Sequence, residues 1–295
     1  METDIQNILV TGSSGYLGRT LVYLLKDTFQ VKGIDRFPAP TTDFIVDLRD
    51  RKQVEKACEK QHAIIHTAAL HAPHVHTHSR EEYIDTNVKG TLYLLEAALK
   101  QGIKRVIYSS STSVYGNALV NPQEAVWVTE TLAPRARDIY DITKLAAEGL
   151  CEDVFSPSKL VTLCLRISRF WQEPLPQKLW YRLYRGLDVR DAAAAHVQAL
   201  SYPAEQFETF NISCDSPFSK EEMPMLLYAP HEIIERKAEK VIPFYREMKW
   251  PIPNSIDRVY VIDKAKTLLG FHPTYSYLHL MNDIREATQQ EDSFS

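Results

Sequence analysis

The sequence predicts an α/β protein, with a parallel β-sheet covered on both faces by helices. Short, almost purely apolar runs recur along the first two-thirds of the chain, and helix-length amphipathic segments separate them. Strands that are buried on both faces have such continuous apolar runs, and strictly alternating strands and helices are typical of a parallel sheet. A glycine-rich turn between the first run and the first amphipathic segment narrows the fold class further.

The first 65 residues supply four predicted strands and two predicted helices. Residues 8–10, 44–46 and 63–65 are aliphatic, β-branched or aromatic runs, and residues 31–34 begin and end with a β-branched residue; all four segments are too short for helices. Helices are predicted at about 16–26 and 50–60, because apolar residues recur there at helical spacing.

Longer helices are predicted after residue 80. A helix at 81–101 has one stripe formed by Ile84, Val88, Leu92 and Leu95. The remaining elements are strands at 105–108, 160–165 and 207–212, and helices at 139–153 and 188–200. Residues 171–187 are irregular and rich in Trp, Tyr, Arg and Pro, and short helices with proline-containing loops are expected after residue 213.

The glycine-rich turn has the spacing of a dinucleotide-binding turn. It reads Gly12-Ser13-Ser14-Gly15-Tyr16-Leu17-Gly18 and joins the first strand to the first helix. Glycine permits tight turning and close approach of a pyrophosphate, and the helix N-terminus offers N–H groups to the phosphates. The alternative is a turn that serves packing only. The context favours a Rossmann-type doubly wound sheet with a smaller C-terminal substrate-binding region.

Acidic residues follow the second and third strands. Asp35 is placed to accept hydrogen bonds from the adenosine ribose and to repel a 2′-phosphate, which predicts NAD. Arg36 would hold a 2′-phosphate if Asp35 swung away, so NADP is not excluded. Asp47 and Leu48 are placed to reach the adenine, although Asp47 or Asp50 would serve equally well as a helix N-cap.

Tyr140 and Lys144 are four residues apart, and this spacing places both side chains on one face of a helix. A phenol beside an ammonium ion ionises more easily, so a lowered pKa is expected for Tyr140. Such a phenol transfers protons near neutral pH. Together with a dinucleotide site, the pair indicates hydride-transfer chemistry.

Composition and charge exclude several classes. The net charge of −4 gives no reason to expect nucleic acid or an anionic membrane as partner. Four scattered cysteines without a C-x-x-C pair indicate reduced thiols and a cytoplasmic protein: Cys58, Cys151, Cys164 and Cys214. The acidic N-terminus shows no secretory leader, and no apolar run approaches a membrane span.

Taken together, the motifs resemble the extended short-chain dehydrogenase/reductases, specifically the NAD-dependent epimerase/dehydratase group. The matching segments, in family order, are 12–18, Asp35, 66–69, 87–91, 109–116, 140–144 and 188–191. The resemblance implies that Tyr140 is the general acid/base, that Lys144 holds the nicotinamide ribose, and that Ser111 binds the reacting oxygen. The predicted cofactor-binding residues are Gly12, Ser14, Gly15, Tyr16, Leu17, Gly18, Asp35, Arg36, Asp47, Leu48, Thr67, Ala68, Ala69, Asn87, Ser109, Tyr140 and Lys144.

Departures from the family pattern bear on the substrate. Thr112 and Ser113 replace the Asp-Glu pair of the sugar dehydratases, which disfavours dehydration. Nucleotide-sugar epimerases of this group usually have an Asn after the sixth strand, and this chain has Arg166-Ile167-Ser168-Arg169 there instead. The segment from there to Asp188 is also short for the family. The predicted substrate-binding residues are Ser111, Thr112, Arg169, Arg185 and Arg258. A surface ion pair is the alternative for Arg258, and a core strand is the alternative for the aromatic segment.

Four histidines crowd one loop: His71, His74, His76 and His78. We predict a polar loop that lines the substrate mouth, and no metal. Residues 1–170 are expected to form the cofactor-binding core, to which 188–212 return, and 171–295 the substrate-binding region. The resemblance implies a homodimer through the helices 81–101 and 139–153, unless these are covered within the monomer.

The leading hypothesis is an NAD(P)-dependent epimerase or oxidoreductase that acts on a sugar or nucleotide sugar, similar to a UDP-glucose 4-epimerase. One alternative is a carbonyl or alcohol dehydrogenase-reductase for a smaller, non-nucleotide substrate. An alternative of another class is a cofactor-sensing regulatory protein on the same fold.

Overall fold

The computed structural model describes residues 5–293. Its strands are β1 (Asn7–Thr11), β2 (Gln30–Asp35), β3 (Phe44–Ile45), β4 (Ala63–His66), β5 (Arg105–Ser111), β6 (Val126–Val128), β7 (Val161–Ile167), β8 (Glu208–Ile212) and β9 (Arg258–Tyr260). Its α-helices are α1 (Tyr16–Leu25), α2 (Arg51–Ala57), α3 (Arg80–Tyr83), α4 (Gly90–Gln101), α5 (Ile139–Asp153), α6 (Leu175–Tyr181), α7 (Val189–Ser201), α8 (Met223–Tyr228), α9 (Pro230–Lys237), α10 (Val241–Glu247) and α11 (Tyr277–Ser293). Residues 1–4, on which the expectation of a missing leader rests, lie outside the described part.

The main sheet has seven parallel strands in the order β3-β2-β1-β4-β5-β7-β8. The helices α1 and α7 pack on one face, and α2, α4 and α5 pack on the other. This arrangement confirms the predicted Rossmann-type fold. Because all strands are parallel, the loops after β1, β2, β4, β5 and β7 open at one edge of the sheet, where ligands bind in such folds.

The neighbouring strands β5 and β7 are longer than predicted. The pairing of β5 with β7 runs from Arg105 opposite Val161 to Ser111 opposite Ile167. Polar serines were expected to end β5, but their backbone groups continue the ladder. The sheet therefore carries residues 109–111 as a rigid extension, and this fixes the place of Ser111.

The predicted helix at 81–101 is interrupted by a π-turn. Residues Ile84–Lys89 form this wider turn between α3 and α4. A π-turn shifts the helical register, so the predicted stripe does not stay on one face. Ile84 is 42% exposed, whereas Leu95 is fully buried.

A second hydrophobic cluster lies outside the main sheet. It joins α6 and α8–α11 with residues around β6 and β9, and includes Trp180, Phe244, Tyr245 and Met281. The strands β6 and β9 pair in parallel as a separate two-stranded sheet. Neither strand was predicted, and residues 175–181 form a helix where a core strand was the alternative.

All four cysteines are free and buried. Within residues 5–293, no helix has both the length and the apolar character needed to cross a bilayer.

Candidate active site

A cleft of about 720 Å³ opens at the carboxyl ends of the parallel strands. Its lining begins at residues that follow β2 and β3, passes the glycine turn after β1 and the loop after β4, and ends at residues that follow β5 and β7. Residues of β9 complete its far side. Nearly all predicted cofactor- and substrate-binding residues therefore meet in one cavity, because the sheet order brings their loops together.

The glycine turn allows two close backbone contacts. Gly12 has φ +72°, and a Cβ on it would lie 2.8 Å from the backbone nitrogen of Ala68. A Cβ on Gly18 would lie only 2.0 Å from the carbonyl oxygen of Gly12. A larger residue at either position would push the turn away from its neighbour, so the shape of this end of the cleft depends on both glycines.

Asp35 is held at the end of β2 by two backbone donors. The Ser14 nitrogen donates to Oδ2 at 3.1 Å, and the Phe37 nitrogen donates to Oδ1 at 3.0 Å. Each carboxylate oxygen keeps a free lone pair for a ribose hydroxyl. The Arg36 guanidinium lies on the Phe37 ring, 4.7 Å from its centroid. An outward swing of Asp35 would break both bonds, which favours an unphosphorylated ribose.

Asp47 lines the same end of the cleft and is paired with Arg49. The Arg49 Nε is 3.0 Å from each carboxylate oxygen, and this guanidinium holds the pKa of Asp47 below its usual value. The helix N-cap is Asp50, which accepts bonds from the Lys52 and Gln53 nitrogens. Of the two residues considered for the helix N-cap, Asp50 therefore has this role and Asp47 does not.

The loop after β4 forms the middle of the cleft. Thr67, Ala68 and Ala69 line it. Asn87, which was predicted among the cofactor-binding residues, lies behind this loop instead. Its side-chain oxygen accepts from the Leu70 nitrogen, and its amide nitrogen donates to the Leu70 carbonyl and to the Thr143 hydroxyl. Asn87 thus ties the loop to helix α5, because the π-turn directs it inward.

Ser111, Tyr140 and Lys144 meet at the end of β5. The Ser111 side chain interacts with the Tyr140 phenol and lowers its pKa. Lys144 Nζ donates to the Ser109 carbonyl at 2.8 Å and lies 5.9 Å from the centroid of the Tyr140 ring. The sequence-predicted trio is therefore assembled on the floor of the cleft.

The expected lowering of the Tyr140 pKa is not found. Burial raises the pKa of this phenol, and the Ser111 hydrogen bond offsets only part of the increase. The buried Asp141 carboxylate raises it further. Burial also lowers the pKa of Lys144, to about 8. Sequence spacing could not show this, because loss of solvent around both groups outweighs their mutual effect.

Behind Lys144, a buried ion pair joins helix α5 to strand β7. Arg166 donates to Glu148 through Nε at 3.0 Å and through Nη2 at 2.7 Å. Arg166 Nη1 also donates to the Tyr115 hydroxyl at 3.1 Å. The Glu148 carboxylate raises the pKa of Lys144, against the effect of burial. This pair fixes the helix that carries Tyr140.

The outer wall of the cleft carries the predicted substrate-binding residues. Thr112, Arg169, Arg185 and Arg258 all line it. Arg169 pairs with Glu173 and Arg258 pairs with Asp257. Arg185 has no ion pair among residues 5–293, and its Nε is buried without a hydrogen-bond acceptor there. Because Arg185 lines the cleft, its positive charge would attract an anionic ligand group.

The aromatic residues of the segment 171–187 lie partly in the cleft and partly in the second hydrophobic cluster. Trp171 lines the cleft, whereas Trp180 and Tyr184 are buried in the second hydrophobic cluster. His71 lies between Trp171 and Tyr140, with ring centroids 6.4 Å from each. Within residues 5–293, no group of three or more His, Cys, Asp or Glu side chains is arranged to hold a metal.

The sequence interpretation missed Arg137, which also lines the cleft. It lies three residues before Tyr140, and the one available signal was this spacing, which predicts a shared helix face. Its partners, Ser113 and the fully buried Asp141, were not singled out as a unit.

Comparison with known proteins identifies the family of this chain. The model of the NAD dependent epimerase/dehydratase family matches residues 8–171. A 3-beta-hydroxysteroid dehydrogenase of Mycolicibacterium neoaurum is 31% identical over 184 residues, 58% of this chain and 49% of that protein. A UDP-glucose 4-epimerase of Pisum sativum is 31% identical over 176 residues, 52% of this chain and 49% of that protein. The matched region thus spans about half the length of these curated relatives.

Solved structures share the whole fold. A short-chain dehydrogenase/reductase superfamily protein from Agrobacterium tumefaciens, solved with bound NAD, has a TM-score of 0.71 at 21% identity, over 97% of this chain and 98% of that one. MoeE5 in complex with UDP-glucose and NAD has a TM-score of 0.67 at 22% identity, over 96% and 99%. The family match covers more than half of the sequence, from β1 to the loop after β7. The chain therefore belongs to the NAD-dependent epimerase/dehydratase family of extended short-chain dehydrogenase/reductases.

Proposed function

We propose that this protein is an NAD-dependent enzyme that transfers hydride at an alcohol or carbonyl carbon of a sugar or nucleotide sugar. One observation carries the proposal: Ser111, Tyr140 and Lys144 converge in the same cleft as the glycine turn and Asp35. A family relationship alone would not require these side chains to meet.

Each residue has a role that follows from its position. The backbone around Gly12 and Gly15 would hold the pyrophosphate, and Asp35 the adenosine ribose. Bound NAD would accept or return the hydride. Tyr140 would take the substrate hydroxyl proton during oxidation and give it back during reduction, while the Ser111 hydroxyl orients the reacting oxygen. Lys144 would bind the nicotinamide ribose and stabilise the ionised phenol.

The fixed position of Asp35 supports NAD over NADP. Its two backbone hydrogen bonds keep the carboxylate where a 2′-phosphate would have to lie. Arg36 lines the cleft as well, so a phosphorylated ribose would still meet one cation. We therefore expect NAD to bind more tightly than NADP.

Epimerisation and net oxidation or reduction use the same residues. Epimerisation requires the keto intermediate to be reduced from its other face before the cofactor leaves. The UDP-glucose 4-epimerases among the curated relatives support a nucleotide-sugar substrate. The alternative of a smaller substrate is supported by the aromatic rings of His71 and Trp171 beside Tyr140, which a small substrate could contact.

Two structural features support further parts of the proposal. Residues 1–170 and 188–212 would bind the cofactor, and the remaining C-terminal residues would form the substrate wall. Apolar side chains stay exposed along α4 and α5 and in the turn before α4, namely Ile84, Leu99 and Ile142, which supports a homodimer through these helices. Free, buried cysteines are consistent with the proposed cytoplasmic location.

The decisive experiment combines ligand analysis with Tyr140→Phe. Mass spectrometry of ligands that copurify with the protein would identify NAD and a substrate class. NADH formation at 340 nm and NMR of UDP-glucose would then separate net oxidation from epimerisation. We expect Tyr140→Phe to lower turnover by about 10²–10⁴-fold. Tyr93→Phe, on α4 outside the cleft, is the matched control.

Turnover in Tyr140→Phe equal to that of the wild type would disprove the mechanism. NAD binding by the wild type without turnover on any sugar, nucleotide sugar or simple carbonyl compound would instead favour the cofactor-sensing alternative.

A further inference from the structure

The carboxylates that line the cleft all lie at one end of it. Among the described residues these are Asp35 and Asp47, which follow β2 and β3 at the adenosine end, where Arg36 is the accompanying cation. Beyond the glycine turn, all the fully charged lining side chains among the described residues are cations: Arg137, Lys144, Arg169, Arg185 and Arg258. Such a surface attracts an anionic substrate and disfavours a cationic one.

Arg137 is the cation in this set that is anchored from beneath the cleft. Its Nε donates to Asp141 Oδ2 at 3.2 Å, and its Nη2 donates to the Ser113 hydroxyl at 3.1 Å. Its backbone nitrogen donates to the same carboxylate oxygen at 3.1 Å. Ser113 in turn donates to the other oxygen of Asp141. The guanidinium is therefore fixed along its Nε–Nη2 edge.

The opposite edge of this guanidinium is available to a ligand. Nη1 has no acceptor among residues 5–293, and the side chain is 43% exposed where it lines the cleft. Nη1 and the second hydrogen of Nη2 form the planar fork that matches the two oxygens of a carboxylate. A guanidinium held along one edge presents this fork with little loss of side-chain entropy.

Asp141 indicates why this arrangement exists. It is fully buried on the first turn of α5, directly after Tyr140, and burying a carboxylate is costly unless it is paired. Its effect on the neighbouring phenol opposes ionisation, so it does not assist proton transfer. Its side-chain partners are Ser113 and Arg137, both of which line the cleft. Holding Arg137 is the role that these contacts explain.

The anchored fork lines the same cleft as Ser111, Tyr140 and Lys144. Arg137 precedes Tyr140 by three residues, and its partner Ser113 follows Ser111 by two. We propose that the substrate carries a carboxylate near its reacting hydroxyl, and that Arg137, positioned by Asp141 and Ser113, is the specificity-determining residue that binds it. This inference rests on the proposed function only for the place of the reacting hydroxyl.

The test uses two pairs of sugars that differ in one group. D-glucuronate and D-glucose differ by a carboxylate against a hydroxymethyl group, and UDP-glucuronate and UDP-glucose differ in the same way. Dissociation constants would be measured by titration calorimetry at saturating NADH. We expect the wild type to prefer the acid about 10-fold or more within a pair, the range for a hydrogen bond to a charged group.

The variants assign that preference to a residue. Arg137→Gln should bring the acid and neutral sugars to within about 2-fold of each other, whereas Arg246→Gln, an exposed arginine of α10 outside the cleft, should leave the preference unchanged. The double variant Arg137→Gln/Asp141→Asn removes both charges, so it avoids a buried unpaired carboxylate and should show the same loss. Comparison of free with UDP-linked sugars measures any separate contribution of the diphosphate.

The inference is overturned if the wild type shows no acid preference in either pair, or if the preference survives in both Arg137 variants. Acid preference without hydride transfer would support it and disprove the proposed function. Turnover without acid preference would do the reverse.

Discussion

The floor of the cleft and its outer wall hold their functional groups by different means. The floor, formed by Ser111, Tyr140 and Lys144, is bonded to the backbone of β5 and backed by a buried ion pair. The wall, formed by Arg169, Arg185 and Arg258, is held by neighbouring acidic side chains or by none. The proposed catalytic groups are therefore held by the sheet, whereas the proposed recognition groups depend on neighbouring side chains or have no ionic partner among the described residues.

The largest expected effect comes from breaking the support of the floor. Arg166→Met leaves Glu148 buried without its ionic partner, so the free energy of unfolding should fall by about 3–5 kcal/mol. Urea denaturation measures it. Arg285→Met, which breaks an exposed pair with Glu247, should cost about 0–1 kcal/mol. Equal losses in the two variants would contradict the proposed role of the buried pair.

Two glycine variants test whether the glycine turn binds the cofactor. Gly12→Ala and Gly102→Ala both place a side chain at positive φ, which costs about 1–2 kcal/mol. Only the Cβ at position 12 also meets a neighbour, whereas nothing lies within 4 Å at position 102. We therefore expect both variants to lose stability, and only Gly12→Ala to lose NAD affinity, as measured by fluorescence titration. Unchanged affinity in Gly12→Ala would place the cofactor elsewhere.

The pH dependence of turnover tests the floor without a substitution. Because burial lowers the pKa of Lys144 to about 8, its ammonium ion is lost above that pH. The value of kcat/KM should then fall toward about 10-fold per pH unit on the basic side. The stability contribution has the opposite sign. An unfolded lysine titrates near about 10.4, so the unfolded state holds more protons between the two values and stability from this group rises with pH.

Thermal unfolding measured at several pH values in this window would show the increase in stability. The variant Lys144→Met should show neither this increase nor the fall of kcat/KM on the basic side. A wild-type limb centred far from pH 8 would contradict the assignment to Lys144.

The smallest stability effect is expected in the wall. Arg185→Gln removes a ring contact with Tyr181 and no ion pair, so the cost should be below about 1 kcal/mol. Affinity for UDP-linked sugars should nevertheless fall, by about 10-fold. The neighbouring Arg182 is buried and pairs with Asp188, so Arg182→Gln should destabilise the fold strongly. A large loss of stability in Arg185→Gln would show that this residue stabilises the fold, which would contradict a role in ligand binding alone.

The sequence predicted the sheet, the glycine turn and the Tyr140/Lys144 pair because each depends on local pattern. Ser111 was predicted from the resemblance to the family. It did not predict β6 and β9, because three-residue strands from distant parts of the chain are defined only by their pairing. The inward position of Asn87 depends on a π-turn that has no signal in helical periodicity. The raised pKa of Tyr140 and the anchoring of Arg137 follow from burial, which a spacing does not reveal.

Because all four cysteines are buried, the rate at which their thiols react reports how often the surrounding structure opens. Burial raises the pKa of Cys58 and of Cys214 to about 12, so neither thiol reacts while it stays enclosed. Cys58 lies among the helices that cover the sheet, and Cys214 follows β8. Alkylation followed by mass spectrometry would therefore measure the opening rates of two separate parts of the chain. A cofactor that binds only the closed form would lower the alkylation rate as its concentration increases.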